Sequence, residues 1–310
     1  VDLVHDLGGD PEKILRDAGI ALVTLGDEDT EIPFSKFLFA LDRAAHVTGC
    51  EEFGLLLSDR QTSSVLGPLF DVVESAPDLR SALDQLCRII PSHDTATTVG
   101  WYSAGEFASL SCLVLDQDIA GTEQHTDHAA LFGVHLLRSL MGREFEPELV
   151  HLPRKRPKNA AIYAQLLGCS VFFDAAHFEI VFDSAWLDRP VLTANPNRHP
   201  LLVQNLETML QMAPTDIVRQ TKGCIWRQLQ EGEVGLSITA SRLGLTVRTL
   251  QRELAARNTS YRALLVEMRN DIANRLRHYS DLSLTEIASA LGYSELSALS
   301  RMMRKNSAVS

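Results

Sequence analysis

Ile238-Thr-Ala-Ser-Arg-Leu-Gly-Leu-Thr-Val-Arg-Thr-Leu-Gln-Arg-Glu-Leu254 reads as a short apolar-patterned helix, a glycine turn, a hydroxyl cap and a second helix. The pattern returns at Leu284-Thr-Glu-Ile-Ala-Ser-Ala-Leu-Gly-Tyr-Ser-Glu-Leu-Ser-Ala-Leu-Ser-Arg301. Gly244 and Gly292 stand where one helix ends and the chain reverses, a place that favours the positive φ glycine adopts without steric cost. Thr246 and Ser294 follow, each with a side-chain oxygen placed to cap the next helix. Ser283-Leu-Thr-Glu286 adds a capping box to the second copy. Ala240 and Ala288 are small enough to let the two helices cross closely. Leu243, Leu250 and Leu254 form the buried seam of the first copy, and Ile287, Leu291 and Leu299 that of the second. Each copy is the sequence form of a helix-turn-helix, at about 237–256 and 283–305.

The residues left on the outside of the second helices are Arg248, Thr249, Gln251 and Arg252 in the first copy. In the second they are Ser297, Ser300, Arg301 and Arg304. Arginine bonds bidentately to guanine, glutamine to adenine, and hydroxyls to bases or phosphates. Thr246 and Ser294, at the helix starts, fall near phosphate in such a complex. A merely solvated helix face explains one isolated copy as well, but not two in one orientation. Between them, Ser260 to Tyr279 is amphipathic, with Tyr261, Leu264, Leu265, Met268, Ile272 and Leu276 in one stripe. About twenty residues at roughly 1.5 Å each make a rod near 30 Å, against about 34 Å for one DNA turn. One chain can then present two recognition helices to successive major grooves of double-stranded DNA.

These residues resemble the DNA-binding domain of the AraC/XylS family of bacterial transcription regulators. The likeness is carried by Ala240, Leu243-Gly244, Arg248-Thr-Leu-Gln-Arg252, Leu254, Thr259-Ser-Tyr261, Leu282-Ser-Leu284, Ile287-Ala288, Leu291-Gly-Tyr-Ser-Glu295, Ser297-Ala298 and Ser300-Arg301. It implies that Arg248, Gln251 and Arg252 face bases in one half-site, and Ser297 and Arg301 in the other. It also implies RNA polymerase as a partner. Asn258 stands where the family has glycine, which is tolerable because Asn also enters the left-handed region. Leu299 and Met303 replace the usual Phe, a softer packing of the second motif. The family continues through a further helix where Asn306-Ser-Ala-Val-Ser310 closes this chain, so either trimming or a less supported second motif is expected. Upstream, Ile162 to Asp174 and Ile180 to Pro190 look like the end of the effector domain in the AraC subgroup named for arabinose binding. That resemblance covers about residues 33–190 and leaves the ligand open.

The chain has 29 Lys and Arg against 40 Asp and Glu, an unpromising balance for a DNA binder until it is divided. Residues 215–310 hold 14 basic and 9 acidic side chains, net +5, whereas the first 214 hold 15 and 31, net −16. The basic part suits phosphate and the acidic part does not. Five scattered cysteines without a C-x-x-C read as reduced thiols of a cytoplasmic protein. No apolar run reaches the roughly 18 residues of a membrane span, and Asp2, Asp6 and Asp10 argue against a signal peptide. The expected division is an effector domain at 1–190, a junction at 191–214 and the DNA-binding domain at 215–310. The fold class expected is α+β followed by an all-α domain of two helix-turn-helix motifs joined by a long helix.

In the first part, helices are expected at 11–18, 34–48, 52–58, 78–90, 122–141 and 158–167. Strands are expected at 97–103, 107–115, 148–152 and 178–182, with Ala104-Gly-Glu106 as a hairpin turn. A helix at about 200–212, striped by Leu201, Leu202, Leu206, Met209 and Leu210, packs on its own domain or forms a homodimer seam, with self-packing favoured. His125, His128 and His135 share one helix with Glu123 and Asp127, but no third ligand is set by spacing, so no metal and no cofactor is expected. Pro153-Arg-Lys-Arg-Pro-Lys158 reads as an exposed loop, and Trp101, Tyr102, Phe107, Phe172 and Phe173 as core. No residue is assigned to the effector, which is expected to be a small molecule.

Two other functions compete. A DNA-targeted alkyl-transfer enzyme needs an activated cysteine and usually a Cys-rich zinc cluster, and the sequence has neither, nor a G-x-S-x-G, P-loop or H-E-x-x-H signature. A DNA-silent interaction protein with a degraded tail is suggested by the missing Phe residues. The reading favoured is a non-enzymatic, sequence-specific transcription regulator.

Overall fold

The computed structural model describes residues 1–26, 30, 32–61, 66–67, 69–93, 97–114, 121–212 and 216–279. The first part opens with α1 (Asp2–Asp6), α2 (Pro11–Asp17), α3 (Phe34–Thr48), α4 (Phe53–Asp59), α5 (Phe70–Glu74) and α6 (Leu79–His93). The hairpin β1 (Thr97–Ala104) and β2 (Phe107–Val114) follows, then α7 (Thr122–Met141) and β3 (Leu149–His151). Next come α8 (Ala160–Leu167), β4 (Ser170–Phe172) and β5 (Phe178–Asp183). The second part runs α9 (His199–Met212), α10 (Ile217–Glu231), α11 (Leu236–Arg242), α12 (Val247–Ala255) and α13 (Tyr261–Tyr279). The expected helices and strands that fall on described residues are present to within a few residues, and the helices of the second motif lie outside the described residues. Not expected were the five-residue helices α1 and α5 and the three-residue β4, all too short to show a period, and α10 was not singled out.

The five strands lie in the order β1-β2-β5-β3-β4. All neighbours are antiparallel except β3 and β4, which α8 joins in parallel. Strand alternation sends Ala108, Leu110, Cys112, Val150, Phe178, Ile180 and Phe182 to one face, where they form the main core with Ala130, Leu131, Val134 and Leu137 of α7. On the other face the register aligns Gly100, Ser111, Glu179, His151 and Phe172 in one row across all five strands. Glu179 is buried there and accepts a hydrogen bond from His151 Nδ1 at 3.1 Å. Burial alone would push its carboxyl up. The His151 bond, the charge of His177 and the Ser109 hydroxyl together outweigh that and hold it at about 2.

Two expectations about the first part need correction. Arg154 is not on an exposed loop. It is buried against Asp127 and Tyr163, because Asp127 sits fully buried on α7 and needs a cation. Phe107 and Phe172 are about half exposed rather than core, since both point to the face of the sheet away from α7. The helix histidines have ordinary packing roles. His125 lies edge-on to Phe34 at 5.1 Å, and His128 is paired with Gln61 while burial pushes its imidazole down to about 3. In α9, Leu206 is buried and Leu202 and Val203 pack on the main core, while Leu201 is exposed.

Candidate nucleic-acid interface

The first helix-turn-helix is built as its residues dictate. α11 ends before Gly244, whose φ of +67° reverses the chain. Thr246 Oγ1 then accepts a hydrogen bond from Thr249 N at 3.1 Å and caps α12. Ala240, Leu250 and Leu254 are all buried in one core with Ile225, Trp226, Leu264 and Met268. After α12, Asn258 takes a φ of +57°, the left-handed turn its glycine-like position requires.

With Leu250 and Leu254 inside, the opposite stripe of α12 is outside. Arg248, Gln251 and Arg252 are exposed, and the Arg252 side chain keeps 73% of its accessible surface. These three occupy helix positions i, i+3 and i+4, so they form one contiguous patch. Thr249 is half-buried and its hydroxyl lies 2.9 Å from that of Thr246, so it is engaged at the cap. Glu253 draws both neighbouring arginines, with Arg252 Nη2 at 3.3 Å and Arg257 Nη1 at 3.2 Å from its carboxylate. The hydrogen bonds from Arg257 and Arg252 hold that carboxyl below its usual range. Of the second motif, Ser294, Ser297, Ser300, Arg301 and Arg304 lie outside the described residues.

One residue that sequence reasoning missed ties this unit together. Gln228 of α10 is fully buried. Its Nε2 donates to Thr239 Oγ1 of α11 at 2.6 Å, and its Oε1 accepts from Gly235 N at 2.7 Å and from the Tyr261 hydroxyl at 3.4 Å. The side chain thereby sets the start of α11 and the start of α13 against α10. Lys222 Nζ reinforces the pairing at 2.6 Å from Glu267 Oε1 of α13. The only sequence signal was a polar residue at an apolar position of an amphipathic helix, which by itself reads as surface. Among the described residues no group of three or more His, Cys, Asp or Glu is placed to hold a metal ion.

Comparison with known proteins matches both parts. A family model described as the arabinose-binding domain of AraC transcription regulator, N-terminal, covers residues 8–191, and a helix-turn-helix domain model covers 239–310. The HTH-type transcriptional regulator VirS of Mycobacterium tuberculosis is 28% identical over 306 residues, spanning 98% of this chain and 90% of its own. The ornithine utilization regulator of Pseudomonas aeruginosa is 25% identical over 320 residues, with the same coverage of 98% and 90%. Among solved structures, transcriptional regulator CdpR from Pseudomonas aeruginosa aligns with a TM-score of 0.48 at 19% identity, over 95% of this chain and 93% of that one.

Proposed function

This chain belongs to the AraC family of transcription regulators, with an arabinose-binding-type effector domain followed by a helix-turn-helix DNA-binding domain, and from that premise we propose which residues read DNA. Arg248, Gln251 and Arg252 contact base edges of one half-site, and Thr246 and Thr249 lie at phosphate. Ser297, Ser300, Arg301 and Arg304 serve the second half-site, with Ser294 at its cap. The observation that carries this reading is the exposed Arg248–Gln251–Arg252 patch on a capped helix whose other face is fully buried. Such a patch presents its side chains to solvent on a packed support, as base readout requires.

The proposed division is an effector domain at 1–190, a junction at 191–214 and the DNA-binding domain at 215–310. Its proposed partners are double-stranded DNA, a small-molecule effector, a second copy of the chain and RNA polymerase, in the cytoplasm. No helix among the described residues is long and apolar enough to cross a membrane. A non-enzymatic role is supported by Cys50, Cys87, Cys169 and Cys224, whose thiols are all pushed up by burial, Cys87 to about 12 and Cys169 to about 11. An alkyl acceptor needs the opposite shift.

The two half-sites should differ. The first motif has three long hydrogen-bonding side chains together, whereas the second offers Ser297 and Arg301 in a sequence with Leu299 and Met303 in place of Phe. Selection of binding sites from random DNA by the full chain is expected to return one sharply defined half-site and one degenerate one. Two equally sharp half-sites, or no enrichment at all, would contradict the proposal, and the latter would favour the DNA-silent interaction protein.

A further inference from the structure

The reading helix of a unit built to approach phosphate carries an acid. α12 holds two arginines, Arg248 and Arg252, and one carboxylate, Glu253. Other acids of the unit hold cations that lie off this helix. Arg242 Nη2 of α11 is 2.5 Å from Glu231 Oε2 of α10, and Lys222 is paired with Glu267. Glu253 instead holds a side chain of the exposed patch. Arg252 Nη2 donates to its Oε1 at 3.3 Å. Arg257 Nη1, just beyond the helix, donates to its Oε2 at 3.2 Å and to its backbone carbonyl at 2.9 Å. Glu253 is half-buried, like Thr249 four residues earlier on the same flank of α12. It stands beside the Arg248–Gln251–Arg252 patch rather than within it.

This contact occupies one nitrogen of Arg252 and leaves other N–H donors of the guanidinium open, enough for a bidentate partner. A long side chain tethered before binding has less rotamer freedom left to lose. The pair is exposed, so its own strength is small and it yields to a better partner. Guanine presents its two acceptors on a neutral edge, whereas a phosphate brings a negative charge that Glu253 repels. The hydrogen bonds from Arg257 and Arg252 hold the Glu253 carboxyl below its usual range, so it is ionised at neutral pH. The carboxylate therefore tells a base edge from the backbone.

We propose that Glu253 is a positioning residue that keeps Arg252 for a base edge and denies it to phosphate, and so sets the ratio of specific to non-specific binding. This rests on the base-reading role given to Arg252 above. Specificity is a difference of two affinities, and a group that penalises the wrong partner raises it as surely as one that favours the right one. Arg257, held by the same carboxylate, is withheld from phosphate in the same way.

Glu253→Gln removes the charge at nearly constant size and helix propensity. Full-length wild type, Glu253→Gln, Arg252→Ala and the double variant should be compared on the selected site, on single-base-pair changes of the first half-site and on random-sequence DNA. Glu253→Gln is expected to bind random DNA more tightly than wild type. Its loss of affinity between about 50 and about 200 mM salt should be about threefold larger, the effect of roughly one further phosphate contact. At the base position read by Arg252, wild type should discriminate by about 5–150-fold and Glu253→Gln by at least about threefold less, with the other positions unchanged. In the Arg252→Ala background the same change should leave the base profile untouched, because the carboxylate acts on it through Arg252. Equal gains on selected and random DNA, with the profile intact, would make Glu253 a surface charge only and overturn the proposal. So would a loss of discrimination at every position, which marks a distorted α12. A wild-type chain that does not tell the selected site from random DNA would sink the reading of the preceding section, an outcome that no behaviour of the Glu253 variant can imitate.

Discussion

Asp127→Ala is expected to destabilise the effector domain by about 3–5 kcal/mol, the usual cost of removing one partner of a buried ion pair. Arg154 donates to the Tyr163 hydroxyl at 2.8 Å, and that hydroxyl donates to Asp127 Oδ2 at 2.7 Å. Arg154 is also paired directly with Asp127, which is fully buried. Burial pushes the Asp127 carboxyl up to about 7 against the pull of Arg154 and Tyr163, so the site tolerates the carboxylate only because the guanidinium is there. Without Asp127 the guanidinium remains buried and uncompensated. Replacing both, Asp127→Ala with Arg154→Met, should recover more than half of the loss, because no charge is then left inside. Urea unfolding of the wild type, of Asp127→Ala, of Arg154→Met and of the double variant measures this. A double variant as unstable as the sum of the singles would show that the network contributes by packing rather than by charge.

Leu250→Ala should cost the DNA-binding domain about 2–5 kcal/mol, the range for a buried leucine that leaves a cavity. Leu250 is fully buried and shares a small core with Ala240, Trp226 and Leu264. With few neighbours to share the loss, the hold of α12 on α11 and α13 weakens, and specific DNA binding falls with it. Thermal unfolding and DNA affinity should decline together. Retained stability with lost binding would mean that Leu250 orients α12 without supporting the fold.

Local signals carried most of what the sequence revealed. Gly244, Thr246 and Leu250 act within one turn of themselves, so their roles as turn, cap and core could be read directly and agree with the observed φ, cap and burial. The same holds for the amphipathic stripe of α13, where Leu264, Met268 and Ile272 are buried. What escaped depends on partners distant in sequence. Arg154 looked like one of a run of solvated charges because its partner Asp127 lies on another element. Gln228 and Gln230, two positions apart on α10, point to opposite sides, one into the DNA-binding helices and one onto the sheet. No periodicity distinguishes that arrangement from an ordinary half-polar helix. Phe172 and Phe107 looked like core because aromatic residues usually are, and the sheet's second face, only partly covered by α10, left them exposed.

Arg252→Ala puts base readout by α12 to the test. Affinities of wild type and variant should be compared on the selected site and on a set in which each base pair of the first half-site is changed in turn. The expected result is a loss of about 1–3 kcal/mol on the selected site, with discrimination collapsing at one base position and surviving at the others. Uniform weakening on every sequence, with discrimination intact at all positions, would make Arg252 a phosphate contact and contradict it.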